Sequence, residues 1–419
     1  MRSRHLSLSA AIVVAMVLGL IAGPVLGPNA APLGELGKLV IQAIKAVATP
    51  LIFFVIVNAV LTTEMEGRGA RRLVGFAMIN ALLALGTGLL LSNVLQPGAH
   101  LAAAHGAAGA DLAPYTGKKV ELMKTISSFV PSSWVAPFAD NLVISIVGMA
   151  LLVGFALRRV RAEQILEGKT GYKVLEDGLA AALGVLAVAL GWVVLAVPLA
   201  VFGVVAKTVG ENGFAPLVGL GWYVGVGLLG LLIHVVVTYQ LWLVLWVRMP
   251  LRRFWAAARE PVVYALGANS SLATLPITLR ALEKLGVSRS SSTLGACVGT
   301  NLNNDGILLY EGMAVLFVAQ ASGIVLTLPQ QLTAAASCML AAAGVAGVPE
   351  AGFISLALVL NTVGLPIELL PLLLTVDWVI ARGRSAVNVL SDMMLSILIN
   401  GRPSDGRASD GPASDGPTR

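Results

Sequence analysis

The stretch T-N-L-N-N-D-G-I-L-L-Y-E-G (residues 300–312) sets three asparagines and an aspartate between two apolar runs, S-S-T-L-G-A-C-V-G before it and M-A-V-L-F-V-A-Q after it. In a soluble protein N-L-N-N-D-G reads as a helix cap or a turn. Flanked by segments apolar enough for lipid, it reads instead as a break in a helix at membrane depth. Irregular backbone is tolerated there only where it is buried in protein or lines a cavity.

Composition supports that setting. Of 419 residues, 57% are hydrophobic and 12% charged, against about 25% charged in soluble proteins, and mean hydropathy is +0.86. Apolar runs of about 20 residues, enough to cross roughly 30 Å of hydrocarbon, recur from end to end. The expected class is an all-α polytopic membrane protein without a large soluble domain. Net charge is +6, but the basic residues are dispersed between spans, so they act as topology signals and no nucleic-acid partner is expected. Cys297 and Cys338 lie in apolar segments as packing residues, and no histidine pair has metal-ligand spacing. M-R-S-R-H before an apolar run to Leu26 has the order of a signal peptide. The run is too long for one, and a retained first span is expected.

Further spans are expected at residues 36–62, 73–95, 136–157, 177–206 and 216–247, after the first at 7–27. With a cytoplasmic N-terminus, the arginine-rich segments 64–72, 158–173 and 248–253 all fall inside, as the positive-inside rule asks. A long exterior loop is expected over residues 97–133. Beyond Arg253 the apolar stretches shorten. Residues 262–280 break at G-A-N-S-S and again at Pro276, and residues 340–360 break at G-V-A-G-V-P-E-A-G. Each reads as a re-entrant helical hairpin with its tip in the membrane. Two such segments, each followed by a long helix with polar residues, form the inverted-repeat pattern of secondary transporters. The organisation expected is eight spans plus two hairpins: 1–72 with the first two scaffold spans, 73–135 with the third span and the exterior loop, 136–253 with spans four to six, a transport core at 254–400, and a tail at 401–419 whose repeated S-D-G predicts disorder.

The last span carries Asp377, Ala381, Arg384, Asn388 and Asp392 at helical spacing, on one stripe. Charge at membrane depth faces a bundle interior, a partner or water, so this stripe is a polar wall. Pairing along the helix accounts for Asp377. Arg384, with five donors arranged for a carboxylate and a permanent charge, is the candidate anion reader. Asn303 and Asp305 with Asn388 and Asp392 supply amide and carboxylate oxygens suited to a hard cation, completed by unwound carbonyls such as that of Gly299 or those around Gly306. Ser270, Ser271 and Thr274 at the first hairpin tip offer hydroxyls and N–H groups to an anion beside a half-helix N-terminus. No histidine lies in the broken segments to activate these hydroxyls, so an enzyme is disfavoured. An anion channel would use the same arginine without uphill accumulation.

Four motifs in order, S-S-L-A-T-L-P (residues 270–276), N-N-D-G-I (303–307), G-V-P (347–349) and V-D-W-V-I-A-R-G-R-S-A-V-N-V-L-S-D (376–392), resemble those of the dicarboxylate/amino acid:cation symporter family, which includes the glutamate transporters. The family pattern for the last is V-D-W-x-x-D-R-x-R-T-x-x-N-V-x-G-D. The resemblance spans nearly the whole chain except the tail. It implies a trimer in a bacterial inner membrane with both termini cytoplasmic, each protomer moving a transport domain against a scaffold. It implies no cofactor and an inward cation gradient, usually sodium, with proton coupling as the alternative. Position by position, it assigns the small anionic substrate to Ser270, Ser271, Thr274, Gly347, Val348, Arg384, Ser385 and Asn388, and the cation to Gly299, Asn303, Asp305, Asn388 and Asp392. Where the family aspartate binds a substrate amine, this chain has Ala381. An unpaired buried ammonium costs several kcal/mol, which favours C4-dicarboxylates such as succinate, fumarate or malate over acidic or neutral amino acids. Ile307, Ser385 and Asn304 also depart from the motifs, as do Ala342, Val345, Asn80 and Ala81 at positions that help bind sodium. Glu350 is unusual at the second tip and is expected to be solvated.

Overall fold

Long apolar runs make most of the chain helical, as the composition requires. The computed structural model describes residues 8–62, 67–105, 133–139, 143–301, 303–344 and 351–401, and all of its regular elements are helical. The expected tail, most of the exterior loop, and Gly347, Val348 and Glu350 lie outside the described residues. Helices α1 (Leu8–Leu26) and α2 (Gly34–Thr62) are joined by a 3-10 segment, Gly27–Leu33. Then come α3 (Gly67–Leu95), α4 (Pro97–His105), the short α5 (Ala136–Ala139), α6 (Val143–Leu166), α7 (Gly171–Val194) and α8 (Val197–Asn212). Helix α9 begins at Ala215–Ile233 and runs on through π-helical stretches at His234–Tyr239 and Trp242–Val247. The stretches Ala10–Asn58, Arg71–Leu95, Gly171–Asn212 and Pro216–Val247 are long and apolar enough to cross a membrane. Large apolar side chains such as Val25, Val185, Trp192 and Leu245 stand exposed on the outside, as a lipid-facing surface demands.

The exterior loop expected from residue 97 instead opens with α4. Pro97 sits at the helix start, where its fixed φ and missing N–H cost nothing, and the alanine-rich run after it is a strong helix former. His100 therefore stacks on Trp222 of α9, ring centroids 4.5 Å apart. Likewise α6 extends to Leu166 and α7 begins at Gly171, leaving four residues between them.

Helices α10 (Leu251–Ala268) and α11 (Ser271–Lys284) pack side by side. The turn between them is two residues long. Asn269 closes α10 in the left-handed region, φ 50°, one of the few non-glycine residues that does so at modest cost. Ser270 is extended and its hydroxyl accepts from Ala273 N at 3.1 Å, capping α11. The second break expected here, at Pro276, does not occur: Pro276 lies within α11. Membrane helices absorb an interior proline when neighbouring groups satisfy the backbone locally.

After α12 (Arg289–Ser292) the chain takes a π-helical turn (Thr293–Val298), a 3-10 turn (Gly299–Asn301) and a non-helical stretch through Asn303 and Asn304 before α13 (Asp305–Ala321). This is the helix break expected at residues 300–306. Helices α14 (Leu328–Gly344) and α15 (Ala351–Thr362) pack together on either side of residues 345–350, and α16 (Leu370–Asn400) ends the fold. Helix α13 is buried on every face from Asp305 to Ala319, and α16 is buried throughout its last twelve complete positions, 388–399. These two lie at the centre, packed on each other and flanked by α10, α11, α14 and α15. Helices α3, α4 and α9 also pack on α13, and α9 packs on α16, while α1, α2, α6, α7 and α8 pack mainly among themselves.

Candidate functional site

Both hairpins converge on one turn of α16. The Ser385 hydroxyl donates to Asn269 Oδ1 at 3.1 Å, which ties the first tip to α16. One residue earlier, Arg384 lies against Gly352 at the start of α15: a Cβ there would stand 2.7 Å from Nη1 and 3.0 Å from Cζ. Gly352 is thus the opening through which the guanidinium sits beside the second hairpin. Gly306 does the same for α13, since a Cβ on it would meet the Arg384 carbonyl at 2.6 Å and Asn388 Oδ1 at 3.0 Å.

Arg384 is 5% exposed. Its Nη2 donates to Asp377 Oδ2 at 3.0 Å, and its Cζ lies 4.1 Å from the centre of the Tyr310 ring. Out of water such a cation–π contact is worth about 2 kcal/mol. The pairing expected of Asp377 is present, and it holds the guanidinium in a fixed pose one helical turn from Ala381.

The interrupted segment supplies the second cluster. Asp305, fully buried at the N-terminus of α13, where a negative charge is favoured, receives the Tyr239 hydroxyl at 2.8 Å and the Ser391 hydroxyl at 2.5 Å, both on Oδ2. His234 Nε2 lies 3.3 Å from the same oxygen. Asn303 Nδ2 donates to Ser391 Oγ at 2.5 Å. Asn388 accepts from Gly306 N at 2.9 Å and contacts Asn304 Oδ1 through its amide nitrogen at 3.4 Å. In this cluster Asn303 Oδ1, Asp305 Oδ1 and Asp392 Oδ1 are buried with no hydrogen-bond partner among the described residues. Burying such acceptors without a partner costs roughly 1–3 kcal/mol each. A hard cation that takes oxygen ligands would satisfy them, so the donor set fits a sodium ion.

Of the other expected residues, Gly299 is buried in the 3-10 turn. Ser270 and Thr274 are turned toward their own helix, Thr274 donating to the Ser270 carbonyl at 2.7 Å. At the third-span positions, Ala81 has no polar atom and Asn80 Oδ1 accepts from Trp242 Nε1 at 2.8 Å.

The sequence reading missed four participants. His234 and Tyr239 read as residues of an ordinary apolar span, yet a histidine and a tyrosine one turn apart at membrane depth are themselves a signal. Ser391 escaped because nothing local marks it. Glu311 stood in the opening stretch. It is fully buried, accepts from the Ser355 hydroxyl and leaves Oε2 without a partner. Among the described residues, the buried carboxylates are Asp305, Glu311, Asp377 and Asp392, and the one buried guanidinium is that of Arg384.

Two helix pairs that meet on α16 beside an interrupted helix, around buried polar and charged side chains, have the organisation of a membrane solute transporter. Sequence comparison agrees. The family model described as the sodium:dicarboxylate symporter family matches residues 8–402, and the chain belongs to that family. Among its relatives are proteins named C4-dicarboxylate transport protein from Deinococcus radiodurans, 31% identical over 94% of this chain and 88% of the relative, and from Laribacter hongkongensis, 31% identical over 95% and 90%. One of the same name from a Janthinobacterium species is 30% identical over 94% and 89%.

Proposed function

We propose that this protein is a secondary symporter that takes up a C4-dicarboxylate with sodium ions running down their gradient. The observation that carries the reading is the charge balance of the core: among the described residues four carboxylates and one guanidinium are buried. A dianionic substrate adds to an interior already short of positive charge, so it binds well only with cations. By linkage the substrate raises cation affinity by the same factor. Arg384 reads one carboxylate of the substrate, and Ser270, Ser271, Thr274, Ser385 and Asn388, with Gly347 and Val348 of the second tip, enclose the rest. Gly299, Asn303, Asp305, Asn388 and Asp392 hold sodium. Ala381 leaves no partner for an amine, which supports dicarboxylates over amino acids.

The protein spans the inner membrane eight times with two hairpins and cytoplasmic termini, and works as a trimer. Residues 254–400 move as an elevator against α1, α2, α6, α7 and α8, and the packing of α3 and α9 on α13 and α16 supports their travelling with that core. Counterflow in proteoliposomes separates the substrates: labelled succinate should exchange and labelled aspartate should not. Saturable aspartate uptake untouched by succinate would defeat the assignment. Proton coupling is the second reading, supported by the unpartnered Oε2 of Glu311. It predicts succinate uptake that collapses a pH gradient in the wild type and not in Glu311→Gln.

A further inference from the structure

Ser391 stands between Asn303 and Asp305, each of which leaves one side-chain oxygen buried with no hydrogen-bond partner among the described residues. Its Oγ lies 2.5 Å from both Asp305 Oδ2 and Asn303 Nδ2. A hydroxyl has one proton and two lone pairs, whereas an ionised carboxylate only accepts. The Ser391 proton therefore goes to Asp305, and a lone pair is left to receive the Asn303 amide hydrogen. That polarity matters because an asparagine amide can present either its oxygen or its NH2 to a given neighbour. With Nδ2 drawn to Ser391, Asn303 Oδ1 is turned the other way, where it is buried without a partner. Asp305 is split in the same manner. Oδ2 is occupied by Ser391 and Tyr239, with His234 beside it, and Oδ1 is unpartnered. At this position, next to Asp392, the related motif carries glycine, which has no hydroxyl to offer.

Resting on the sodium-symport reading above, we propose that Ser391 is a positioning residue: its hydroxyl fixes the amide orientation of Asn303 from the charge of Asp305, so that oxygen rather than NH2 faces the cation. In a flipped amide the NH2 would meet the ion and repel it. Partners that orient the ligands of a metal typically account for 10–100-fold in affinity. Ser391 touches neither cation nor substrate in this account and acts only through its two neighbours.

The test is sodium binding to the purified full-length protein, read as the sodium-dependent rise in Tm with choline keeping ionic strength constant, beside sodium-driven succinate uptake. Ser391→Ala should raise the sodium concentration at half-effect about tenfold or more while leaving the succinate KM at saturating sodium near the wild-type value. Ser391→Thr, which keeps the hydroxyl, should restore the midpoint. In an Asn303→Asp background both side-chain atoms are oxygens and orientation no longer matters, so there the alanine substitution should carry little further penalty. A sodium midpoint in Ser391→Ala equal to wild type, or an equal penalty in both backgrounds, overturns the proposal. Ser391→Cys, close in size but a weak donor, carries the same test if the alanine variant does not fold. A wild type whose stability ignores sodium contradicts the sodium reading and this proposal with it. A wild type that responds, with Ser391→Ala responding identically, overturns the proposal alone.

Discussion

Arg384 has two roles that a pair of substitutions can separate. Arg384→Ala removes the proposed carboxylate reader and leaves Asp377 buried without its partner at 3.0 Å, a loss of about 3–5 kcal/mol. Both transport and thermal stability should fall. Adding Asp377→Asn removes the stranded charge, so Tm should recover in part while succinate uptake stays absent. Recovery of uptake in the double variant would show that the arginine serves structure alone. Asp392→Asn should raise the sodium concentration for half-maximal uptake and change the succinate KM at saturating sodium far less, and an unaltered sodium dependence removes it from the cation site. Ala381, buried one turn from Arg384, sets the third expectation. Ala381→Asp supplies a carboxylate for an amine, and labelled aspartate uptake should appear as succinate uptake declines.

At the scale of elements, the first hairpin tip was legible because its chemistry is local. Asparagine tolerates the left-handed region and serine caps the next helix, so N-S-S in an apolar run marks a turn without any tertiary information. Pro276 misled for the converse reason, since whether a proline ends a membrane helix is decided by the groups packed around it. Helix α4 was hidden by the polar, low-hydropathy segment that follows it. Gly352 ties the second hairpin to the guanidinium, and Gly352→Ala tests that tie. Its Cβ would crowd Nη1 at 2.7 Å, so the succinate KM should rise, while Gly225→Ala, which meets no atom within 4 Å, should leave it unchanged. Equal KM values in the two variants would detach α15 from the site.

For the whole molecule, the last-helix stripe and the broken segment could be read in advance because helical spacing alone puts Arg384, Asn388 and Asp392 on one face. The cage around Asp305 could not. Tyr239, His234 and Ser391 reach it from 66, 71 and 86 residues away, and no local periodicity records such a meeting. Nor does the stretch 300–312 reveal by itself that Glu311 and Asp305 share one interior with Asp377 and Asp392. In the proposed mechanism that interior is where coupling originates: an anion is admitted when cations offset the buried carboxylates, and not otherwise. Proteoliposomes loaded without sodium and given an inward sodium gradient measure this directly. Labelled succinate should rise transiently above its equilibrium level, and the rise should vanish when the gradient is collapsed. Succinate that never exceeds equilibrium at any sodium or pH gradient would contradict the coupling of anion and cation in this core.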